Sequence, residues 1–484
     1  MKAAFDVLTQ GWIPVSEQSG RLRKVGIEEV LKKAHCFSEI SDPSPMVEYG
    51  MYRFLSVFLM DALRPEDTET LENILAEGKF DADVIDHYIA LCRKEGVSFD
   101  LFHPNRPFLQ TPYDPQLDKN KKPAVALDYT LPSGNNHTHF DHRVSETVVL
   151  PYDMAARLLI PAQLFCTAGL QGPSNVSGAP PYYTIVKGQT LFETLLFSMI
   201  PLDQIDIPFD SPPVFWRNQA LVTPKKKIAE TSWLYGMLFP ARRVTLVPGD
   251  KEVAEVYLSA GLDYTAMESW KDPFVTYRYI KDVRAPWRPN QGKAVWRNLN
   301  DLVDVKGRRA PAVLRQYFDL EKDSEDASIA LYGVQTNQAS FLGTFQYDLK
   351  IPARLTRDDS ALRFLTLVIR AAENMEKAVH ESLADVPGIS SALISSASRI
   401  FYDRCESKFW AVCANLGNSV EALKAQYLAW CDDLTGIANS VRIRILREAQ
   451  LSGHSLAKAA AHEKDILFAT GKNKKGMEYW SKRR

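Results

Sequence analysis

The stretch that decides the fold is DDSALRFLTLVIRAAENMEKAVHESLADVPG, residues 358–388. Leu362, Leu365, Val368, Ala372, Met375, Val379 and Leu383 recur three or four residues apart and trace one face of a helix. Asp358, Asp359 and Ser360 supply N-cap oxygens, and Pro387-Gly388 stops the run. Reading onward, a second helical segment spans Ile389–Asn415 and ends at Gly417. A third follows Asn418-Ser419 and continues to about Ala449. After Ser452-Gly453, a fourth covers Ser455–Thr470. Four amphipathic segments on short connections predict an up-down four-helix bundle. Trp410 and Trp430 are its expected core fillers.

Reading backward from residue 357, the texture changes. Pro, Trp and turn residues are frequent, and short strand-like and helix-like pieces alternate. Phe5–Leu8 and Trp12–Val15 read as strands. Ile27–His35, Pro45–Leu63, Asp81–Glu95, Tyr152–Phe165 and Leu191–Pro201 read as helices. Arg243–Val247 and Phe274–Tyr279 are further strand candidates, and Cys166–Pro181 is a Gly/Ser/Pro/Asn loop. The expected fold class is therefore α+β. A large mixed N-terminal domain of short strands and helices (1–357) precedes the C-terminal four-helix bundle (358–484).

Composition fits a soluble globular protein: of 484 residues, 45% are hydrophobic and 24% charged. No uncharged apolar run is long enough for a membrane span, and the N-terminus lacks the apolar stretch of a secretory signal. Six scattered cysteines without a Cys-x-x-Cys pair argue for free thiols in a reducing cytoplasm rather than a structural zinc site. The net charge of −1 does not advertise a nucleic-acid binder, yet basic clusters punctuate the chain. They are Arg21/Arg23/Lys24, Lys119/Lys121/Lys122, Lys225–Lys227, Arg242/Arg243, Lys306/Arg308/Arg309, Lys472/Lys474/Lys475 and Lys482/Arg483/Arg484. A run of this kind is usually a solvated face.

One string looks catalytic. His137-x-His139-x-Asp141-His142 has the donor spacing with which metallo-β-lactamase-like proteins hold two zinc ions, which makes a metal-dependent hydrolase the alternative reading. The loop sequence Pro132–Asn136 precedes it where a strand is needed, and the next histidine after His142 is His380. Nor is there a Gly-x-Ser-x-Gly elbow or a phosphate-binding glycine loop. The chain is thus expected not to be an enzyme.

Three polar segments suggest binding instead: Ser133–Arg143, Thr167–Gly178 and Gln335–Ser340. Asn and Gln offer donors and acceptors without charge, which suits base edges, and Gly169 and Gly172 let a backbone approach a ligand closely.

Motifs along nearly the whole chain resemble the large subunit of the type I-E CRISPR Cascade complex, the CasA family. They are Phe5-Asp-Val-Leu-x3-Trp12-Ile-Pro-Val15, Phe99-Asp-Leu-Phe-His-Pro-x-Arg-Pro-Phe-x-Gln-Thr-Pro112, Ser133-Gly-Asn-Asn136 with Phe140-Asp-His-Arg143, a glycine loop ahead of Val186-Lys-Gly-x3-Phe-Glu-Thr-Leu-Leu196, Trp270-Lys-Asp-Pro-Phe-Val-x-Tyr-Arg278, Asn337-Gln-Ala-Ser340 and the helical C-terminus. The resemblance implies a subunit that recognises a short flanking signal, the PAM, in double-stranded DNA, starts R-loop formation and helps recruit the effector nuclease in antiviral defence. Asn136, Phe140, Asp141, His142 and Arg143 would lie by that signal and the guide RNA 5′ end. The loop bearing Gly169 and Gly172 would read the minor groove with backbone atoms. Asn337, Gln338 and Ala339 would be the wedge. A lysine that reaches the groove in some members has no clear counterpart here; Lys271, in the Trp-Lys-Asp-Pro string, stands nearest, where the local correspondence slips. The cysteines that hold zinc in some members are missing here, so neither metal nor cofactor is expected. Implied partners are the backbone and small Cascade subunits, the guide RNA, target duplex and a recruited helicase-nuclease, with no membrane.

Overall fold

The computed structural model describes residues 3–131, 148–169, 172–265, 269–281, 283–289, 294–324, 326–337, 340–449, 451–462, 465–466 and 469. The chain folds as two compact units. One is mixed and takes in Met1–Pro289 and Ala310–Lys350. The other is helical and takes in Asn290–Arg309 and Ile351–Arg484.

The mixed unit is built around the Pro45–Leu63 helix. Pro at its first position suits the start of a helix, and Arg64 closes it in the left-handed region at φ 47. Every residue from Met46 to Asp61 is buried. A helix apolar on all sides must be enclosed, and this one is. Its charged residues are matched. Arg53 donates to both Asp272 oxygens at 2.7 and 3.0 Å and to the Met237 carbonyl at 3.0 Å. Asp61 accepts two bonds of 2.9 Å from Arg217 and one of 2.7 Å from Tyr88. Glu48 accepts a short bond from the Tyr332 hydroxyl. Burial pushes its carboxyl up to about 7, against the opposing pull of Tyr332 and Lys187.

Small sheets accompany this helix, two of them packing on it and the third on the neighbouring Tyr152–Leu164 helix. Ile13–Glu17 lies between Leu22–Val25 and Phe37–Ile40, antiparallel to both. Asp326–Asn337 lies between Tyr183–Lys187 and Ser340–Pro352. Glu252–Ala260 pairs with Arg242–Pro248 on one edge, and with Lys121–Pro123 and Leu150–Pro151 on the other.

Several expected elements shift. Phe5–Leu8 is not a strand. The Asp6 carboxylate accepts from the Leu8 amide at 3.0 Å and curls the chain into a turn, leaving a single bridge to Asp100. The strand expected over Phe274–Tyr279 is Tyr277–Ile280, because the Asp272 carboxylate and carbonyl capture the Phe274 and Val275 amides in a turn. Thr68–Glu77 forms a helix that periodicity did not mark. Asp67 caps it, accepting from the Thr70 amide at 2.8 Å.

The helical unit contains the four segments anticipated: Asp359–Ala384, Ser391–Ala414, Val420–Glu448 and Gly453–Ala461. Asp358, Ser390, Ser419 and Ser452 cap them with side-chain oxygens. The three long helices pack against one another in every pairing. The fourth is held by Arg442, which donates to the Ala459 carbonyl at 2.6 Å. The aromatic centre differs from expectation. Trp430 is buried and donates to the Val368 carbonyl at 2.9 Å, but Trp410 is only half-buried. Phe409 takes the inward position and stacks at 4.5 Å on Trp296, which arrives from the Asn290–Arg309 segment.

Candidate nucleic-acid interface

The Thr167–Gly178 loop is anchored by buried polar groups. Its entrance is the end of the Tyr152–Leu164 helix, where Gln163 exchanges hydrogen bonds with the Arg242 backbone at 2.9 Å each way. Asn175 donates to the Gln163 carbonyl at 2.9 Å. Gly169 and Gly172 exchange amide-to-carbonyl bonds of 2.9 and 3.1 Å, closing a tight turn.

The two glycines differ. Gly172 is buried, has φ +132, and would bring a Cβ within 2.9 Å of Ala260 and 3.1 Å of the Arg242 guanidinium. Only glycine fits there, for packing as well as for backbone conformation. Gly169 is exposed, so its backbone is open to approach from outside.

Arg242 is the staple beneath this turn. Its guanidinium donates to the Thr167 carbonyl at 2.7 Å and, through a short bond, to the Pro173 carbonyl, gripping both legs. A further bond of 2.9 Å goes to the Ala241 carbonyl. The cation is 2% exposed. These three acceptors are carbonyl oxygens, and no ion pair with a carboxylate is found for it among the described residues.

Lys271 is exposed between two buried neighbours. Trp270 packs against Gly236, where a Cβ would come within 2.2 Å of the indole. Asp272 binds Arg53 and also accepts from Ser177 at 3.1 Å. The glycine loop and the residue beside Lys271 therefore share one buried ion pair as anchor.

Asn337 ends the Asp326–Asn337 strand, and the partner strand begins at Ser340. Tyr332 fixes this strand through Glu48, and Asn337 lies roughly 17 Å further along at about 3.4 Å per residue. Gln338 and Ala339 lie outside the described residues, as do Asn136, Phe140, Asp141, His142 and Arg143. The alternative ligand set His137, His139, Asp141 and His142 falls outside them too. Among the described residues, no group of three His, Cys, Asp or Glu could hold a metal. No described helix is long and apolar enough to cross a membrane.

The basic clusters divide sharply. Arg243 is fully buried and clamps Asp118 at 2.7 and 3.1 Å, so Arg242/Arg243 is neither a solvated face nor a phosphate contact. Arg23 pairs with Glu17 and Glu29, Lys24 with Asp153, Lys121 with Glu255, Lys306 with Asp359, and Arg309 with Asp301 and Asp304. Sequence reading missed the staple. The signal was present, since two adjacent arginines open a strand of otherwise apolar character.

The family model for CRISPR-associated protein Cse1 matches residues 6–441. A CRISPR-associated protein CasA/Cse1 from Thermus thermophilus is 31% identical over 396 residues, covering 78% of this chain and 74% of the relative. Among solved structures, Thermobifida fusca Cse1 superposes with a TM-score of 0.80 at 20% identity, over 97% of this chain and 98% of that one. A chain of a CRISPR RNA-guided surveillance complex gives 0.78 at 19% identity, over 96% and 99%. The structural matches speak for the fold. The family match spans most of the chain, and the Thermus relative agrees with it over the greater part of both proteins. This chain belongs to the CasA/Cse1 family.

Proposed function

We propose that the chain is the large subunit of a CRISPR RNA-guided surveillance complex and acts in the cytoplasm without turnover of its own. In this reading its mixed unit grips target duplex beside the PAM, and its helical unit, with the basic tail, meets the small subunits or the displaced strand. The observation that carries the reading is the exposed Gly169 backbone, held by a buried staple and sharing an anchor with exposed Lys271.

The minor groove distinguishes mainly A·T from G·C, so a reader made of backbone and one lysine tolerates several related signals. Asn337, Gln338 and Ala339, between two long strands, push into the first base step beside the signal. Unstacking costs a few kcal/mol per step. Guide pairing then replaces the opened duplex at near balance, which leaves sequence choice to the RNA. Asn136, Phe140, Asp141, His142 and Arg143 complete the signal-proximal surface near the guide 5′ end. A helicase-nuclease recruited after opening supplies the cut.

A duplex-binding screen with randomised flanking bases tests this, using complexes assembled with and without the chain. The complete complex enriches a narrow set of flanks, and Gly169→Asp broadens that set. Equal enrichment with and without the chain would refute the proposal.

A further inference from the structure

Many cations of the mixed unit pair with carboxylates, but a group of lysines near the glycine turn does not. Lys119, Lys225, Lys226 and Lys227 are exposed, Lys122 is half-buried, and none makes an ion pair among the described residues. Lys119 and Lys225–Lys227 are distant in sequence yet meet at one end of the Arg242–Pro248/Glu252–Ala260 hairpin, with Lys122 on the strand that flanks its middle. Buried Arg243 draws them together. It binds Asp118, beside Lys119, and donates to the Val222 carbonyl at 2.8 Å, just ahead of Lys225. The Lys225 amide bonds the Gly261 carbonyl at 2.7 Å, and Lys227 pairs in register with Asp263. Lys122 faces Val256 across the sheet.

The glycine turn docks at that same end, since Gly172 packs on Ala260, the residue before Gly261. Nearby acids offset the group only in part. Asp118 is committed to Arg243 and Glu255 to Lys121, which leaves half-buried Asp263 and exposed Glu230, two carboxylates against five lysines. Burial and the nearby Arg242 charge disfavour the Lys122 ammonium. Like charges gathered with too few counter-ions repel one another, and an external polyanion relieves that repulsion.

We infer that Lys119, Lys122 and Lys225–Lys227 form a phosphate rail that holds the sugar–phosphate backbone of the duplex whose minor groove faces the Gly169–Gly172 turn. This rests on the proposed role of that turn. The rail carries affinity and not sequence preference, because phosphate contacts position a protein without reading bases.

The test is binding of target duplex by the assembled complex at several salt concentrations and with several flanks. The chain carries Lys225→Ala, Lys226→Ala and Lys227→Ala together, or Lys119→Ala alone. Removing one phosphate-binding cation flattens the slope of log K against log[salt] by about 0.9. On that scale the triple variant should flatten it by about 2–3 and the single variant by about 1, with the ranking of flanks unchanged. An unchanged slope overturns the rail. So does a changed ranking, which would make these lysines part of the reader. Flank ranking by the wild-type complex, measured in the same titrations, tests the turn's role separately.

Discussion

The two units solve the problem of a stable interior differently. The mixed unit threads its core with buried ion pairs: Arg53–Asp272, Arg217–Asp61 and Arg243–Asp118. The helical unit centres on Trp296, Phe409 and Trp430, and each ion pair among its described residues keeps a partner in contact with solvent. Apolar packing fixes helices by periodicity alone. Buried pairs fix irregular segments that have no periodicity to guide them. The irregular Thr167–Gly178 loop draws on such a pair through Ser177 and Asp272, and the buried Arg242 adds a second hold through backbone carbonyls.

The sharpest way to break this contrast is Asp272→Ala. It strands the Arg53 guanidinium and should cost about 3–5 kcal/mol in the mixed unit. Denaturant melts followed unit by unit will register it as an early first transition. Trp296→Ala should cost a similar 3–5 kcal/mol or slightly less, through the cavity against Phe409, and lower the helical transition instead. If both variants lowered the same transition, the two-core picture would be wrong.

Glu48 sharpens the contrast through pH. Its folded pKa of about 7 exceeds the ordinary 4.5, so the folded chain keeps a proton that the unfolded chain loses between those values. Stability from this group therefore falls as pH rises from about 4.5 to about 7, then levels off. Lys187, Glu39 and Asp348 are the charges that face it. Glu48→Gln removes the slope and should be more stable than wild type above pH 7 by up to about 3 kcal/mol. Thermal melts at pH 5 and pH 8 decide this, and a parallel shift at both would contradict it.

Arg242→Met leaves the Thr167 and Pro173 carbonyls without their donor, at about 1–3 kcal/mol, and should loosen flank discrimination while overall duplex affinity falls less. Binding to matched and mismatched flanks reads both effects. The smallest change is expected from Lys306→Ala. Its pair with Asp359 is exposed on both sides, so the melting midpoint should not move measurably.

The caps at Asp358, Ser390 and Ser419 and the long amphipathic runs were legible because helix signals are local. Trp296 was not legible as part of that core, since nothing local says that residues 290–309 join helices beginning at 359. Trp410 was mistaken for a filler because adjacent aromatics at 409 and 410 both fit a loose period, and one residue of rotation decides which faces inward. In the mixed unit the Pro45–Leu63 helix was clear from composition. The Arg53, Asp61 and Arg243 partnerships were not, because a buried charge and a surface charge look alike until the chain closes around one of them. The glycines of the turn were recognisable as places of close approach. That Gly172 is approached by Ala260, leaving Gly169 open, needed the fold.

The most direct test of the central claim reads strand separation itself. A fluorescent base analogue at the first step beside the flanking signal reports unstacking on mixing with guide-loaded complex. With the chain present, the signal should rise only on duplexes with a permitted flank, and Gln338→Ala should slow the rise severalfold. An equal rise on every flank, or an undiminished rise when the complex lacks this chain, would contradict the account.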